Sequence, residues 1–576
     1  MERYKKASNL GTVMRSIFIL LVLLIIFLPV LASAATYYVD RDSLGGSCSD
    51  TNAGTSLTAP LCTIRQANNM VRAGDTVLIR AGTYSENSGR SAIIDPRSSG
   101  SAGNYITYKN YNNEKVVLTG VYQPIAFYSG NDYIWVEGIE VDGSLTSPNV
   151  VDICVAILSN YNVVKNCILH HTKTSGDALR GVWLRGPVHH NQIIGNYIHH
   201  CGHEVQVEEQ LGDGIVSTDD SSLNLIEGNK IDYFGHGALD LWGQKNIVRN
   251  NEFIGSWGGA CGINNVMNIP ASRTVFENNI MRNVVGHGVA NMPQGGVGMT
   301  AKHVIFRKNL IYEIAGSGIM LGGWYTVIAG YDKIYNNVVF RAGKDGAPEF
   351  DYAVEFTDFS PNGRILGVTL VNNVFHDNYQ DGISWREQAN PASQFVRKNW
   401  WQADGDPRFV SENNYNFNLQ ADSSAIDNGE WLTNTASAGS GTIIPVIDAG
   451  FFMDGFGIVD GDIIQLQGQT ITARITNVDY VNNRITVDKT LSWTTGLGVS
   501  QPYSGSAPDI GAFEYEGGVV CVAADLNCDT KVDVSDLNIV ASDFGKTSNL
   551  NNAKSDTNND GIVDIYDVVY VASRIA

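Results

Sequence analysis

The sequence predicts an all-β fold. The expected architecture is a right-handed parallel β-helix solenoid with a small inserted antiparallel β module and a small α-helical, EF-hand-like C-terminal domain. Three observations carry that reading. An apolar pair, a polar residue or two and an Asn recur at Val163-Val164-Lys165-Asn166, Ile193-Ile194-Gly195-Asn196, Ile226-Glu227-Gly228-Asn229, Val248-Arg249-Asn250-Asn251, Phe276-Glu277-Asn278-Asn279, Phe306-Arg307-Lys308-Asn309, Ile334-Tyr335-Asn336-Asn337 and Leu370-Val371-Asn372-Asn373. Counted from Asn166, the steps are 30, 33, 22, 28, 30, 28 and 36 residues, a loose period typical of units too small to bury their own apolar face, which stack and share one core. The runs between anchors, such as Val304-Ile305-Phe306-Arg307, are short, β-branched and aromatic, and punctuated by Gly and Asn. Finally, a spaced series of Asp and Asn occurs twice after residue 519, outside the repeat.

No segment of the repeat sustains an amphipathic helical period, and the regular Leu framework of a leucine-rich repeat is absent. Each coil is therefore read as a rung of two or three short strands, with rungs ~4.8 Å apart. Asn suits a fixed turn of such a stack, because it tolerates left-handed backbone angles and its amide bonds to the next Asn. The unequal steps place the length variation in loops, where function usually sits.

Residues 1–35 read as a secretion signal. Arg3, Lys5, Lys6 and Arg15 precede an apolar run of 15 residues from Ile17 to Leu31, and Ala32-Ser33-Ala34 gives a small-x-small cleavage site. The run contains Pro29 and is short for a membrane span. With four basic residues and Glu2 removed, net charge moves from -20 to -23. The mature chain is expected to be a monomer, extracellular or cell-surface associated, without a membrane span. Eight Cys in 576 residues exclude a disulfide-dense scaffold. Cys48 and Cys62 bracket a polar loop that a disulfide could close in an oxidising compartment, and Cys521 and Cys528 are a second possible pair. Cys154, Cys167, Cys201 and Cys261 have no CxxC or zinc-like spacing and read as buried small apolar residues.

Residues 36–456 are assigned to the β-helix and its N-terminal cap. Thr63 to Arg72 is the one amphipathic helix of the cap, ended by Gly74, and the strand starting at Asp75 reads as the first rung. A solenoid needs such a cap, because its open end exposes core and strand edges. Rungs follow at Tyr105 to Lys109, Val116 to Leu118 and Tyr133 to Val141. Tyr37-Tyr38-Val39-Asp40, the stretch Ala73 to Tyr84 and the Asn-anchored coils together resemble the secreted right-handed β-helix proteins of the pectate-lyase-like superfamily, which includes alginate-lyase-like and chondroitinase-like enzymes. The resemblance covers roughly residues 36 to 515 and implies the fold rather than a substrate. Asp406-Pro407-Arg408-Phe409-Val410 through Ser424 to Gly429, and Pro508 to Tyr515, look like closing phrases of such helices. Between them, residues 457–507 alternate polar and apolar around Asn482-Asn483 and are read as the inserted β module; residues 508–518 are read as closing strand and linker.

Residues 519–576 form a separate domain. Asp525, Asn527, Asp529, Lys531, Asp533 and Asp536 recur 31 residues later as Asp556, Asn558, Asp560, Ile562, Asp564 and Asp567. These are positions 1, 3, 5, 7, 9 and 12 of a calcium loop, with Lys531 and Ile562 offering backbone carbonyls and the others side-chain oxygens. Matching helices follow at Leu537 to Ser542 and Val568 to Ser573. The tandem resembles the dockerin domain, which implies two bound Ca²⁺ ions and docking onto a cohesin-like or other cell-surface anchor protein. It departs from the common pattern at Val534-Ser535 and Ile565-Tyr566, where a Ser-Thr pair is usual, and at Ala541-Ser542 and Ala572-Ser573, where Lys-Arg is usual. These departures point to a non-standard partner.

Chemistry is sought where coils stack. Aligned on a Gly that opens an apolar strand, the preceding residues read Arg180, Asp213, His236, Cys261, His287, Ser317 and Asp381, and the third residue after it reads Leu184, Ser217, Asp240, Asn265, Asn291, Leu321 and Trp385. Stacking turns such columns into neighbours on one face. Asp213, His236 and Asp240, with Asp219 and Asp220 between them, then form the densest titratable cluster, overhung by residues 199–214 with His199, His200, His203, Glu204, Glu208 and Glu209; Arg180, Arg185, Lys245 and Arg249 flank it. As a lyase, the protein would remove the proton alpha to a uronate carboxylate neutralised by Ca²⁺ or Arg. The four Asp would hold a further Ca²⁺, and Lys245, His236 or Arg180 would be the base. A chain at -23 repels polyanions, so a cation is needed at the site. As a hydrolase, Thr218-Asp219-Asp220 with Gly235-His236-Gly237 resembles part of the polygalacturonase pattern, whose other Asp motif and Arg-x-Lys are missing; Gly286-His287-Gly288 shows that the repeat itself generates the same triplet. The third reading is a polysaccharide-binding surface protein without turnover. Elimination on an acidic polysaccharide is the first of the three. No nucleotide fingerprint or basic nucleic-acid patch is present.

Overall fold

The computed structural model describes the chain from residue 34 to residue 575 apart from residues 86–91, 146–150, 173–178, 203–211, 219–220, 235–236, 257–260, 265–272, 285–296, 300–301, 322–327, 344–351, 357–363, 386–390, 517–523, 527–531, 548–549, 551, 553 and 559. Residues 1–33 of the expected secretion signal, the Cys521–Cys528 pair and the Gly286-His287-Gly288 triplet lie outside these residues. Each coil contributes strands to three parallel sheets. Among the described residues, sheet A has 13 strands, sheet B 11 and sheet C 10. The N-terminal strand Thr36–Val39 belongs to sheet A itself, pairing with Thr76–Ile79. Helix α1 (Ile64–Met70) starts where the Thr63 hydroxyl accepts from the Gln66 amide, and it buries Ile64 and Ala67. A Cys48–Cys62 disulfide closes the polar loop before it. Cys154, Cys167 and Cys201 are buried thiols, as the sequence suggests; burial pushes Cys167 and Cys201 up to about 12.

The core is built from columns. On sheet A one inward column runs Val77, Tyr108, Val136, Val164, Ile193, Ile226, Val248, Phe276, Phe306, Ile334 and Leu370, each opposite the next. A one-residue slip would turn the whole column to solvent, so the apolar pattern sets the register.

The Asn anchors form a continuous buried ladder. Each side-chain NH₂ donates to the amide oxygen of the next, from Asn196 through Asn229, Asn251, Asn279, Asn309, Asn337 and Asn373 to Asn399. The expected first anchor, Asn166, stands one residue outside this line: Cys167 takes the position, and its amide donates to Asn196. The left-handed turn and the ladder are also separate jobs. Positive φ falls on the residue before each ladder Asn, as at Gly195, Gly228, Asn250, Asn278, Lys308, Asn336 and Asn372. A second buried ladder links Asn162, Asn191, Asn224 and Asn246.

The antiparallel module begins before the expected residue 457. Its six-stranded sheet includes Thr433–Asn434 and Gly439–Pro445, the latter paired with Arg484–Trp493. The Gly/Ser-rich run at 437–442 carries no alternation that would mark it as a strand, and its partner supplies the order. The module covers an apolar outer column of sheet A, Leu225, Ile247, Val275 and Ile305, with its own Ile464, Ile475 and Ile485. Residues 508–512 close the stack without a regular strand: Gly511 donates to the Asn372 carbonyl, and Asn336 donates to the carbonyls of Asp509 and Gly511. Helices α2 (Val534–Asp543) and α3 (Ile565–Ala572) pack around Val540, Val563 and Val571.

Candidate functional site

Strands Arg180–Leu184, Asp213–Ser217 and Gly237–Trp242 lie side by side in sheet C. Val182, Leu184, Ile215, Leu239 and Leu241 fill the interior, so alternation turns Trp183 and Asp240 outward. The outward column runs Ala126, Ala156, Trp183, Val216, Asp240 and Gly262. Trp183 is half-buried and packs against a cluster that includes the small Ala126 and Ala156 of this column. Both guanidinium groups beside it are held by the indole, Arg180 at 4.4 Å and Arg185 at 4.6 Å from the ring centre.

A second line crosses the coils next to that column. Asp152 donates its amide to the Tyr122 carbonyl, Arg180 donates to the Asp152 carbonyl, and Arg180 stands opposite Asp213. Burial holds Arg180 below the usual arginine range, with the charges of Asp213, Tyr122 and Asp240 pulling it back. The Tyr122 phenol is raised by burial and by Asp152, to which it is hydrogen-bonded, while Arg180 and Arg185 act in the opposite sense. No sequence motif marks Tyr122 and Trp183, because they occupy different phases of the repeat; only the stacking of coils joins them.

The structure thus brings Arg180 to Asp213 and Asp240. It also corrects the alignment behind them. Asp213 stands opposite Gly237, and Asp240 opposite Val216, one residue away from the Gly-based columns. Pairing buried Ile215 with buried Leu239 decides this register. Asp240 is therefore three residues along the neighbouring strand from the partner of Asp213, roughly 10 Å at 3.3 Å per residue. Asp213 and Asp240 are two of the four expected ligands of a further Ca²⁺. Asp219, Asp220 and His236 lie outside the described residues. Lys245 sits in the turn after the strand, its ammonium 5.9 Å from the Phe456 ring of the segment packed on sheet A. His199 and His200 do not overhang this face; they are part of a strand of sheet B, Tyr197–Cys201.

The C-terminal loops present a different chemistry. The Asp560 amide donates to both Asp556 Oδ1 and Asn558 Oδ1, Gly561 donates to Asp556 Oδ2, and Ile562 donates to Asp560 Oδ1. Gly561 takes the sharp turn at φ 88. Asp564 caps α3 through the Tyr566 amide, and buried Asp567 accepts from the amides of Asp564 and Thr557. The first loop repeats the pattern: Asp536 accepts from Asp533 and Leu526, and Asp533 caps α2. Asp525 is fully buried beside them, while Asn527, Asp529 and Lys531 lie outside the described residues. A set of donors that is all oxygen, arranged around a tight Gly turn, fits a hard cation such as Ca²⁺.

The sequence matches the family described as Pel9A-like, right handed beta helix region over residues 43–251, and the family described as Right handed beta helix region over residues 203–343 and 237–401. It is 24% identical over 453 residues to the Uncharacterized protein YwoF of Bacillus subtilis (strain 168), covering 66% of this chain and 90% of that protein. The fold is similar to that of pectate lyase Pel9A, with a TM-score of 0.45 and 15% identity over 84% of this chain and 97% of the other. It is also similar to a rhamnogalacturonan lyase, with a TM-score of 0.42 and 17% identity over 66% of this chain and 92% of the other. Other similar structures are polysaccharide lyases and glycoside hydrolases. With its three parallel sheets and these matched regions, the chain is a right-handed parallel β-helix protein that carries a Pel9A-like region.

Proposed function

We propose that the protein is a secreted polysaccharide lyase that cleaves a uronate-containing polymer on the outer face of sheet C. The observation that carries this reading is the pair of guanidinium groups on Trp183 beside the Tyr122–Asp152 pair. Arg185, exposed, pairs with the uronate carboxylate and neutralises it, while the indole stacks on the sugar ring. Neutralisation acidifies the adjacent C–H bond. Arg180, held below its usual range by burial, takes that proton in its neutral form. The C–O bond to the leaving sugar breaks as the ring double bond forms, and the Tyr122 phenol protonates the departing oxygen. Asp213 orients Arg180, and Asp240 flanks the same face.

The C-terminal helix pair is assigned a dockerin-like tethering role, with one Ca²⁺ in each loop. Val534, Ile565, Tyr566 and Val569 are exposed there, which suits an apolar partner surface rather than the hydroxyl-rich contact of the common pattern.

The test is a panel of pectate, alginate, glycosaminoglycans and neutral glycans, following ultraviolet absorbance and reducing ends together. Elimination produces both signals on at least one uronate polymer and neither on neutral glycans. Reducing ends without absorbance would replace the reading with hydrolysis, and silence across the panel would leave a binding protein.

A further inference from the structure

The imidazoles of sheet B form a cluster that the lyase reading does not use. Strands Glu140–Asp142, Ile168–Thr172, Tyr197–Cys201 and Lys230–Phe234 stack in successive coils. Leu169, Ile198 and Ile231 point into the core, so His170, His199 and Asp232 point out. Adjacent strand residues would ordinarily face opposite sides. Here His171 and His200 take positive φ, 57 and 54, and each returns its ring to the face of its neighbour. The Nδ1 atoms of His170 and His171 lie 2.5 Å apart, and those of His199 and His200 lie 2.8 Å apart. The His170 and His199 rings stack at 4.6 Å, and those of His171 and His200 stack at 4.7 Å. Asp142 Oδ1 lies 3.6 Å from His170 Nδ1, and Glu140 Oε1 lies 3.2 Å from His170 Nε2. Lys115 engages Glu140, Ser144 holds Asp142, and the Tyr197 hydroxyl donates to Asp232.

We propose that His170, His171 and His199, with the carboxylate of Asp142, bind one divalent transition-metal ion of the zinc class. The ligand atoms of the three His all lie within 4.8 Å of one another, close to the spacing that bonds of ~2.1 Å to a shared ion require. Imidazole nitrogens favour Zn²⁺, Ni²⁺ or Cu²⁺ over Ca²⁺. Facing nitrogens as close as these can share only one proton, and a metal ion takes the place of that proton. The ion links three successive coils, so it acts as a staple on sheet B, separate from the face that carries Trp183. The turn pair His189–His190, with Nδ1 atoms 2.9 Å apart and rings on Tyr161, has no third ligand among the described residues and serves as an internal control.

The test uses the full chain, stripped with phenanthroline and kept in excess Ca²⁺ to occupy the C-terminal loops. Equilibrium dialysis against Zn²⁺ should leave one equivalent bound, and Zn²⁺ should raise the melting temperature. Co²⁺ should give visible ligand-field bands without a thiolate charge-transfer band, which excludes the buried cysteines as ligands. His199→Ala and His171→Asn should each weaken Zn²⁺ binding at least tenfold and abolish the thermal shift, with circular dichroism unchanged; His189→Ala should change neither. Failure of the wild-type chain to retain Zn²⁺ would overturn the proposal. Equal loss in His189→Ala would do the same.

Discussion

At the scale of single residues, the coil turn divides its work between two neighbours. Asn279 donates to Asn309 Oδ1 and to the Val248 carbonyl, while its own oxygen accepts from Asn251. Asn278, just before it, takes φ 55 and is exposed. Asn279→Ala should therefore cost about 1–3 kcal/mol in denaturant unfolding, because it orphans buried partners on both sides. Asn278→Gly should be near neutral, since Gly adopts the same backbone angle without penalty. Asp332 gives a second prediction. It is buried, its Oδ1 accepts from the Val304 amide, and burial pushes its carboxyl up to about 7. An unfolded Asp ionises near 4, so from there to pH 7 the unfolded state sheds its proton first and folding loses stability. Asp332→Asn should keep the acceptor, remove this slope and stabilise the protein by on the order of 2–4 kcal/mol at pH 8 with little change at pH 4, as read from melting at both values. The Asn phrase made the ladder legible in the sequence. Its phase was not legible at Asn166, because a Cys follows there, and neither was the second ladder, whose Asn residues stand alone before their strands.

At the scale of elements, packing decides what composition leaves open. The columns at Arg180 and Asp213 could be read from Gly-anchored strands. The one-residue offset between the strands Asp213–Ser217 and Gly237–Trp242 could not, because Gly214 and Gly237 look equivalent until Ile215 and Leu239 must both enter the core. The same limit hid the first strands of the antiparallel module, which are ordered by their partners. That module is fixed to the solenoid by a buried charge cluster. Arg307 of sheet A bonds Glu277 and the Tyr335 hydroxyl, and it reaches Asp462 of the module through two contacts of 2.8 and 2.6 Å. Although burial opposes its charge, Asp462, Tyr335 and Glu277 hold the guanidinium ionised. Asp462→Ala should destabilise the protein by about 3–5 kcal/mol in chemical denaturation, because a buried cation loses a partner. Double replacement of Asp462 and Arg307 by apolar residues of similar volume should recover most of that loss.

At the scale of the whole molecule, three separable devices share one chain: an Arg–Trp face on sheet C, an imidazole cluster on sheet B, and a C-terminal helix pair with carboxylate-rich loops in its sequence. The loops were the most legible, since their spacing is local in sequence; the two faces required knowledge of which coils touch. The chain carries net charge -20, so under the proposed reading a polyanion must be drawn by a local cation, and exposed Arg185 supplies it beside Trp183. With Ca²⁺ proposed for the C-terminal loops, chelating it should abolish the proposed tethering and loosen α2 and α3 while changing turnover of soluble polymer less than about twofold. Circular dichroism, pull-down on a partner-bearing surface and initial rates in parallel would check this; a collapse in rate with chelator would place a calcium ion in the β-helix site. The most direct test of the central claim is the initial rate of ultraviolet absorbance for Arg180→Ala on the polymer that the wild-type protein cleaves. The geometry predicts a loss of at least about 10²-fold with an unchanged melting temperature. A folded Arg180→Ala protein that eliminates at the wild-type rate would contradict the placement of the active face on sheet C.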